Sequence, residues 1–210
     1  ASRVHAVIVA TDDERIAAAV KSFGGAAVLT SAAHVSGTDR IAEVVSQLPC
    51  RFVVNVQGDE PLIEPATLDA AIAPMLADST LEMSTISRPF SSVSEFHNPN
   101  VVKVVTTASG DALYFSRAPI PASGPSGGQA SVPGAARAHV GLYVYRRDTL
   151  LQLAALPPAP LELEESLEQL RALTHGIGIR VVETLHIAAG VDTPDDLERV
   201  RAMMLTASRT

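Results

Sequence analysis

Apolar positions along the chain alternate between short uninterrupted runs and stripes with helical spacing. Residues 4–10 and 52–56 are apolar on both faces, which is typical of strands buried in a parallel sheet. Residues 16–23, 36–48 and 66–77 place apolar side chains on one face of a helix. This alternation predicts an α/β fold with a mostly parallel central sheet flanked by helices.

The middle of the chain changes to short strands, predicted over residues 83–90, 101–106, 112–116 and 139–145. The segment Ser109-Gly110-Asp111 is typical of a hairpin turn. Residues 121–138 are mostly proline, alanine, serine and glycine, which can bury little surface. We expect this stretch to be a mobile loop.

Two helices are predicted near the end of the chain, over residues 161–174 and 193–208, with a strand over 179–185 between them. The second of these helices has a clear start, because Thr193 can cap it and Pro194 takes its first position. The sequence contains neither internal repeats nor a second core. We therefore predict a single domain over residues 1–210.

Composition narrows the classes of function. Hydrophobic residues make up 47% and charged residues 19% of the chain, which predicts a folded core. The net charge of −7 argues against nucleic acid or an anionic membrane as a partner. No apolar stretch approaches the roughly 20 residues that span a bilayer, so we expect no membrane insertion. The single cysteine, Cys50, cannot form an internal disulfide, which is consistent with a cytoplasmic protein.

Polar clusters fall at the predicted carboxyl ends of strands, in residues 11–13, 36–40, 57–60 and 190–193. Ligands of open parallel sheets bind at this edge, where loops and helix N-termini meet. The sequence therefore predicts a site built from several loops.

Asp59 and Asp192 are the natural pair of acids among these clusters. Mg²⁺ takes one or two carboxylates from a protein and completes its shell with water and substrate phosphates. The alternatives remain open, because Asp59 could be a turn acid before Pro61 and Asp192 could be an acid that precedes a helix.

Basic and aromatic side chains supply further candidates. Arg117 stands where a strand breaks into a proline-rich segment, and its guanidinium could bind a carboxylate or phosphate, or form a surface salt bridge. His139 shares one side of a predicted strand with Tyr143, and it could contact substrate or be a core histidine. Glu168 and Gln169 flank a helical apolar stripe, where Glu168 could point into a cleft or pair with Arg171.

Most of these candidates lie within seven motifs, which occur along the chain in the order SGTDR, VVNVQGDEP, NPNVVKVV, ALYFSRAPIP, HVGLYVYRR, LEESLEQLR and GVDTPDDLERVR. Together they resemble the 3-deoxy-manno-octulosonate cytidylyltransferase family, from about Val4 to Met203. The resemblance implies a nucleotide-diphospho-sugar transferase-like fold, with a small mixed β/loop region involved in dimerisation of a homodimer. It also implies Mg²⁺ and transfer of CMP from CTP to 3-deoxy-D-manno-octulosonate (Kdo), which releases pyrophosphate in the cytoplasm and activates Kdo for lipopolysaccharide synthesis.

The resemblance also implies roles for single residues. Asp59 and Asp192 would bind the metal and act in catalysis. The cytidine pocket would comprise Thr11, Asp12, Ser36, Gly37, Thr38 and Arg40. The sugar acid would be held by Gln57, Arg117, His139, Tyr143, Glu168 and Gln169.

One departure from the family concerns its opening strand and a loop resembling ARxxSTRLPGKPL, whose basic residues hold the triphosphate. No segment of this sequence matches that loop, so we expect the N-terminal part of the family domain to be absent from the chain. Two alternatives to Kdo activation remain at this point. One is a non-catalytic nucleotide- or sugar-binding remnant, and the other is a cytidylyltransferase for another sugar acid, such as a sialic acid.

Overall fold

The computed structural model describes residues 3–122, 132–185, 191 and 193–207. The strands are β1 (Ile8–Thr11), β2 (Ala26–Leu29), β3 (Phe52–Val56), β4 (Met83–Arg88), β5 (Lys103–Thr106), β6 (Ala112–Ser116), β7 (Arg137–Arg146) and β8 (Ile179–Glu183). The helices are α1 (Glu14–Ser22), α2 (Gly37–Ser46), α3 (Pro65–Ala77), α4 (Val93–His97), α5 (Arg147–Ala155), α6 (Pro160–Glu165), α7 (Gln169–Thr174) and α8 (Pro194–Ala207).

The long strand β7 organises a six-stranded sheet, because it pairs antiparallel with β3, β4 and β5. Strand β8 joins β4 in parallel, and β6 joins β5 antiparallel. Hence β3, β4, β5 and β8 point one way, and β6 and β7 point the other. The predicted α/β fold is confirmed, but the prediction of a mostly parallel sheet was wrong for these six strands. Strand β7 lies among strands that point the other way, and β4 with β8 is the one parallel pair among these six. Strands β1 and β2 form a separate parallel pair.

Helices cover both faces of this sheet. Ala71, Ile72 and Met75 of α3 form one buried cluster with Leu142 and Val144 of β7. The neighbouring side chains of β7 point to the other face, since successive residues of a strand alternate. There the second buried cluster joins residues of α2, β7, α5 and α7, including Val45, Tyr143, Tyr145, Leu150 and Leu170.

Three elements were not predicted from the sequence pattern, and one predicted helix is two helices in the structure. The helix predicted over 161–174 breaks at Ser166, whose φ of 52° is left-handed. Strand β2 has only four residues, too few for a clear period. Helix α4 is also short, and α5 follows β7 with no turn signal between them. The hairpin turn is confirmed, because β5 and β6 are antiparallel and Gly110 has a φ of 85°.

Residues 123–131, which make up half of the predicted mobile loop, lie outside the described residues. The remainder of that stretch includes the first two residues of β7, which begins at Arg137. No helix in the described part of the chain is long and apolar enough to cross a membrane.

Candidate active site

The amide of Gln57 lies just past the end of β3, where two glycines face it. A Cβ on Gly141 would lie 3.4 Å from Cγ of Gln57, and a Cβ on Gly37 would lie 4.0 Å from its Oε1. Nε2 of Gln57 donates to Oδ1 of the buried Asn55 at 3.3 Å. The end of β3 therefore meets the start of α2 and the middle of β7 at Gln57.

Asp59 follows two residues later and is exposed. Its backbone carbonyl accepts a 2.8 Å hydrogen bond from the amide of Val191. Asp192 lies outside the described residues. Because Val191 is its chain neighbour, this bond brings the segment that carries Asp192 to the residue with which it was paired in the sequence.

The N-terminus of α2 is closed by two side chains. Ser36 is the cap, since its Oγ accepts from the amide of Asp39 at 3.1 Å. The carboxylate of Glu168 accepts from the amides of Gly37 and Thr38, both at 3.3 Å, and from Oγ1 of Thr38 at 2.6 Å. An acid is favoured there because the helix amides are unpaired and the helix dipole is positive.

The pairing of Glu168 with Arg171 considered from the sequence is therefore wrong. Arg171 instead forms a bidentate ion pair with Glu162, with N–O distances of 2.8 and 2.6 Å. Both residues are buried, with 4% and 6% of their surface exposed. Burial alone would raise the pKa of Glu162, but the hydrogen bonds from Arg171 lower it.

Arg40 links the two clusters predicted to bind the nucleotide. Its Nη2 donates to Asp12 at 3.0 Å, and its Nη1 donates to Thr30 at 2.7 Å. Oγ1 of the buried Thr11 accepts from the amide of Asp13 at 3.1 Å. The structure therefore brings Thr11, Asp12 and Arg40 together beside the start of α2.

His139 and Tyr143 of β7 lie on the same side of the sheet, with ring centroids 5.4 Å apart. Nε2 of His139 is 2.9 Å from Oγ1 of Thr85, and the edge of Phe115 lies against the imidazole. Burial lowers the pKa of His139 to about 3 and raises that of Tyr143. Both side chains are therefore neutral at pH 7.

The guanidinium of Arg117 is largely occupied by main-chain carbonyls. Nε donates to Glu165 at 2.8 Å, Nη1 to Pro99 at 3.2 Å and Nη2 to Ser166 at 3.3 Å. The carboxylate of Glu165 in turn accepts from the Arg117 amide at 2.8 Å. Each Nη retains one further N–H, so a substrate carboxylate could still be bound.

Comparison with known proteins assigns the family. The family model described as Cytidylyltransferase matches residues 1–182. A protein from Geobacter metallireducens named 3-deoxy-manno-octulosonate cytidylyltransferase is 55% identical over 206 residues, which cover 95% of this chain and 81% of that protein. A protein of the same name from Solibacter usitatus is 52% identical over 200 residues, which cover 95% of this chain and 78% of that protein.

The chain belongs to the 3-deoxy-manno-octulosonate cytidylyltransferase family.

A solved structure of CMP:2-keto-3-deoxy-manno-octonic acid synthetase complexed with CTP agrees with this assignment. It has a TM-score of 0.88 and 43% identity, and the match covers 97% of this chain and 82% of that one. A 4-diphosphocytidyl-2C-methyl-D-erythritol synthase from Anaerococcus prevotii has a TM-score of 0.59 at 10% identity, over 97% of this chain and 83% of that one. This second likeness shows the fold alone. The chain is a nucleotidyltransferase, as its sequence predicted.

The exposed acid of the site, Asp59, suits a divalent metal. The carboxylate of Asp59 is exposed and makes no hydrogen bond with the described residues. Those residues include no group of three His, Cys, Asp or Glu side chains that could hold a metal ion. One or two carboxylates suit a cation such as Mg²⁺ that takes most of its remaining oxygens from substrate phosphates. The free carboxylate of Asp59 is such a donor, so the described residues fit a divalent cation of this kind.

Gln169 supplies an unpaired donor. The residue is 4% exposed, and its Nε2 has no hydrogen-bond partner within the described part of the chain. A buried amide without a partner costs about 1–3 kcal/mol, so a bound sugar that accepted from it would recover that free energy.

Sequence reasoning did not assign Lys103, Glu165 or Thr85 to the site. Lys103 is fully buried in β5, and its Nζ donates to the carbonyls of Asn98 and Arg117, both at 2.7 Å. Burial lowers its pKa, and the nearby Arg117 lowers it further. A lysine inside the apolar run VVKVV was the only sequence signal for this network.

Proposed function

We propose that this chain transfers CMP from CTP to Kdo and releases pyrophosphate. The observation that carries the proposal is the 55% identity over 95% of the chain with a protein named for this reaction. The similarity to a synthetase that was solved with CTP supports the same nucleotide.

The geometry supports a division of the site into two halves. The cytidine half comprises Thr11, Asp12, Ser36, Gly37, Thr38 and Arg40, which lie around the start of α2. The sugar half comprises Gln57, Arg117, His139, Tyr143, Glu168 and Gln169. Glu168 joins the halves, because its carboxylate holds Gly37 and Thr38 while Gln169 follows it in the chain.

In this reaction the anomeric hydroxyl oxygen of Kdo forms a bond to the α-phosphorus of CTP. The bond from that phosphorus to the pyrophosphate oxygen breaks, and the hydroxyl proton is released. Such transfers depend on alignment and on neutralisation of charge rather than on covalent help from the protein. The remaining N–H groups of Arg117 suit the sugar carboxylate, and the Gln57 amide suits a hydroxyl or carboxylate oxygen.

We assign Mg²⁺ to Asp59 and Asp192. When bound there, it would supply Lewis-acid stabilisation of charge on the phosphate oxygens. The support is the exposed carboxylate of Asp59 and the Val191 hydrogen bond that brings the Asp192 segment to it.

We propose that residues 1–210 form a single nucleotidyltransferase domain and that the protein acts as a homodimer in the cytoplasm, where it supplies activated Kdo for lipopolysaccharide synthesis. Sedimentation of the purified chain tests the dimer, because a monomer at assay concentrations would contradict it.

The test of the reaction is pyrophosphate release from CTP by the purified protein, with Kdo, a sialic acid or no sugar. We expect release only with Kdo, and we expect loss of activity in EDTA that Mg²⁺ restores. Equal or faster release with the sialic acid would overturn the assignment of the sugar. Release with Kdo that persists in EDTA would overturn the assignment of the metal.

A further inference from the structure

The hydroxyl of Thr85 contacts three groups of β7. Thr85 is fully buried in β4, and its Oγ1 lies 2.7 Å from the carbonyl oxygen of Leu142 and 2.9 Å from Nε2 of His139. The carbonyl of Val140 is 3.5 Å away. An irregularity brings these groups together, because Thr85 pairs with Tyr143 while the next residue of β4 pairs with Val140.

The position of one proton follows from these distances. A hydroxyl has one proton to donate, and a carbonyl oxygen can only accept. Two oxygens at 2.7 Å need a proton between them, so Thr85 donates to Leu142. The contact at 2.9 Å must then be a hydrogen bond in which Nε2 of His139 is the donor and Oγ1 the acceptor.

The charge of the ring decides the state of its second nitrogen. Phe115 and Tyr143 lie against the imidazole, and Tyr145 lies against Tyr143. These neighbours are uncharged at pH 7, and burial lowers the pKa of His139 to about 3. The ring is therefore neutral, with a proton on Nε2 and a lone pair on Nδ1. Nδ1 makes no hydrogen bond with any residue that the structure describes.

We propose that Thr85 is a positioning residue that fixes His139 as the Nε2–H tautomer, so that Nδ1 accepts a hydrogen bond from a sugar hydroxyl. This inference rests on the proposed function for the identity of the sugar acid. A lone pair attracts a donor, and the carboxylate of a sugar acid has none at pH 7. His139 therefore recognises a hydroxyl of Kdo, which leaves the carboxylate to Arg117.

The first test reads the tautomer directly. In ¹⁵N NMR spectra of the labelled protein, with the His139 signals assigned by H139Q, we expect one protonated nitrogen, Nε2, and one unprotonated nitrogen, Nδ1. This pattern should persist from about pH 5 to about pH 8, where an ordinary histidine titrates. A proton on Nδ1, or a ring that titrates within this range, would overturn the proposal. The spectra need no substrate, so they are informative even if the proposed reaction fails.

The second test compares two substitutions. T85V keeps the volume but removes the acceptor of the Nε2 proton, so the tautomer should become mixed. Loss of one such hydrogen bond predicts a rise of about tenfold in the KM for Kdo, with kcat and the KM for CTP nearly unchanged. T85S retains the hydroxyl and should retain both the tautomer and the KM.

Two results would overturn this part: a T85V variant with an unchanged tautomer and KM, or a T85S variant as weak as T85V. If T85V fails to fold, the wild-type spectra and T85S still decide. If the wild type releases no pyrophosphate with Kdo, the proposed function fails, whereas the assignment of the tautomer is judged by the spectra alone.

Discussion

Two acids near the site differ in how much of their hydrogen-bonding capacity is used within the protein. Asp59 at the end of β3 is exposed, and its carboxylate makes no hydrogen bond with the described residues. Glu162 in α6 is buried, and its two oxygens accept from Arg171 and from the amide of Ala159. Three of the roughly four acceptor positions of the Glu162 carboxylate are filled, whereas the described residues fill none of those of Asp59. Unused hydrogen-bonding capacity, rather than residue type, distinguishes the acid that can bind a ligand.

Arg117 lies between these extremes. Three of its N–H groups bind carbonyls, so a large part of its role is to hold the turn at Ser166 next to Glu168. A motif arginine can therefore organise a site and still have N–H groups left for substrate.

The largest effect should come from breaking the buried pair. R171M leaves the carboxylate of Glu162 buried without its partner, which should lower the free energy of unfolding by about 3–5 kcal/mol. Urea denaturation measures this loss. The double variant E162M/R171M, which removes both charges, should recover part of it. A double variant less stable than R171M would show that the pair is not the cause.

Substitution of the exposed Asp59 should lower activity and leave stability nearly unchanged, unlike R171M. D59N should lower kcat by about 10²–10³-fold, because a metal ligand that stabilises transition-state charge is lost. Its stability should stay within about 0.5 kcal/mol of the wild type. The matched control is D148N, since the Asp148 side chain is 96% exposed outside the site. An active, Mg²⁺-dependent D59N would remove Asp59 from the metal site.

The pH dependence of stability extends the comparison to Glu95. Burial alone would raise its pKa, but hydrogen bonds from Arg88 and Ser91 lower it from 4.5 to about 2. The stabilisation is therefore complete above the unfolded pKa and is lost as the pH falls through the folded one. We expect E95Q to lose about 2 kcal/mol at pH 7.

Stability curves measured down to about pH 2 test this prediction. The gap between E95Q and the wild type should narrow as the pH falls from 4.5 towards 2. A gap that stays constant over this range would show that ionisation of Glu95 does not contribute.

The smallest effect should come from Glu168, which is exposed but bound to the start of α2. E168Q weakens the hydrogen bonds that residue 168 accepts from Gly37 and Thr38, at a cost of about 1 kcal/mol. The KM should therefore rise about fivefold for both CTP and Kdo. The matched control is E164Q, an exposed acid nearby. A change in only one of the two KM values would contradict a role in joining the two halves.

Much of the fold was predictable because its signals are local. The buried strand Phe52–Val56 follows from its apolar run, and the turn at Gly110 follows from the glycine that adopts a positive φ. The position of Asp59 just past the end of β3 was also predictable, since polar loops collect at strand ends. The break at Ser166 was not predictable, because the apolar stripe continues through it and the turn is held by Arg117, which follows β6 far away in the sequence.

The sequence by itself determined the family, the order of most elements and the place of Gln57 and Asp59 at the candidate site, just past the end of β3. Only the tertiary structure decided which side chains remain free there. Glu168 binds Thr38 across 130 residues, and His139 meets Thr85 across 54. The physical reason is that a residue's period and type fix its own face and charge, whereas a hydrogen bond depends on which distant partner the fold brings within 3 Å.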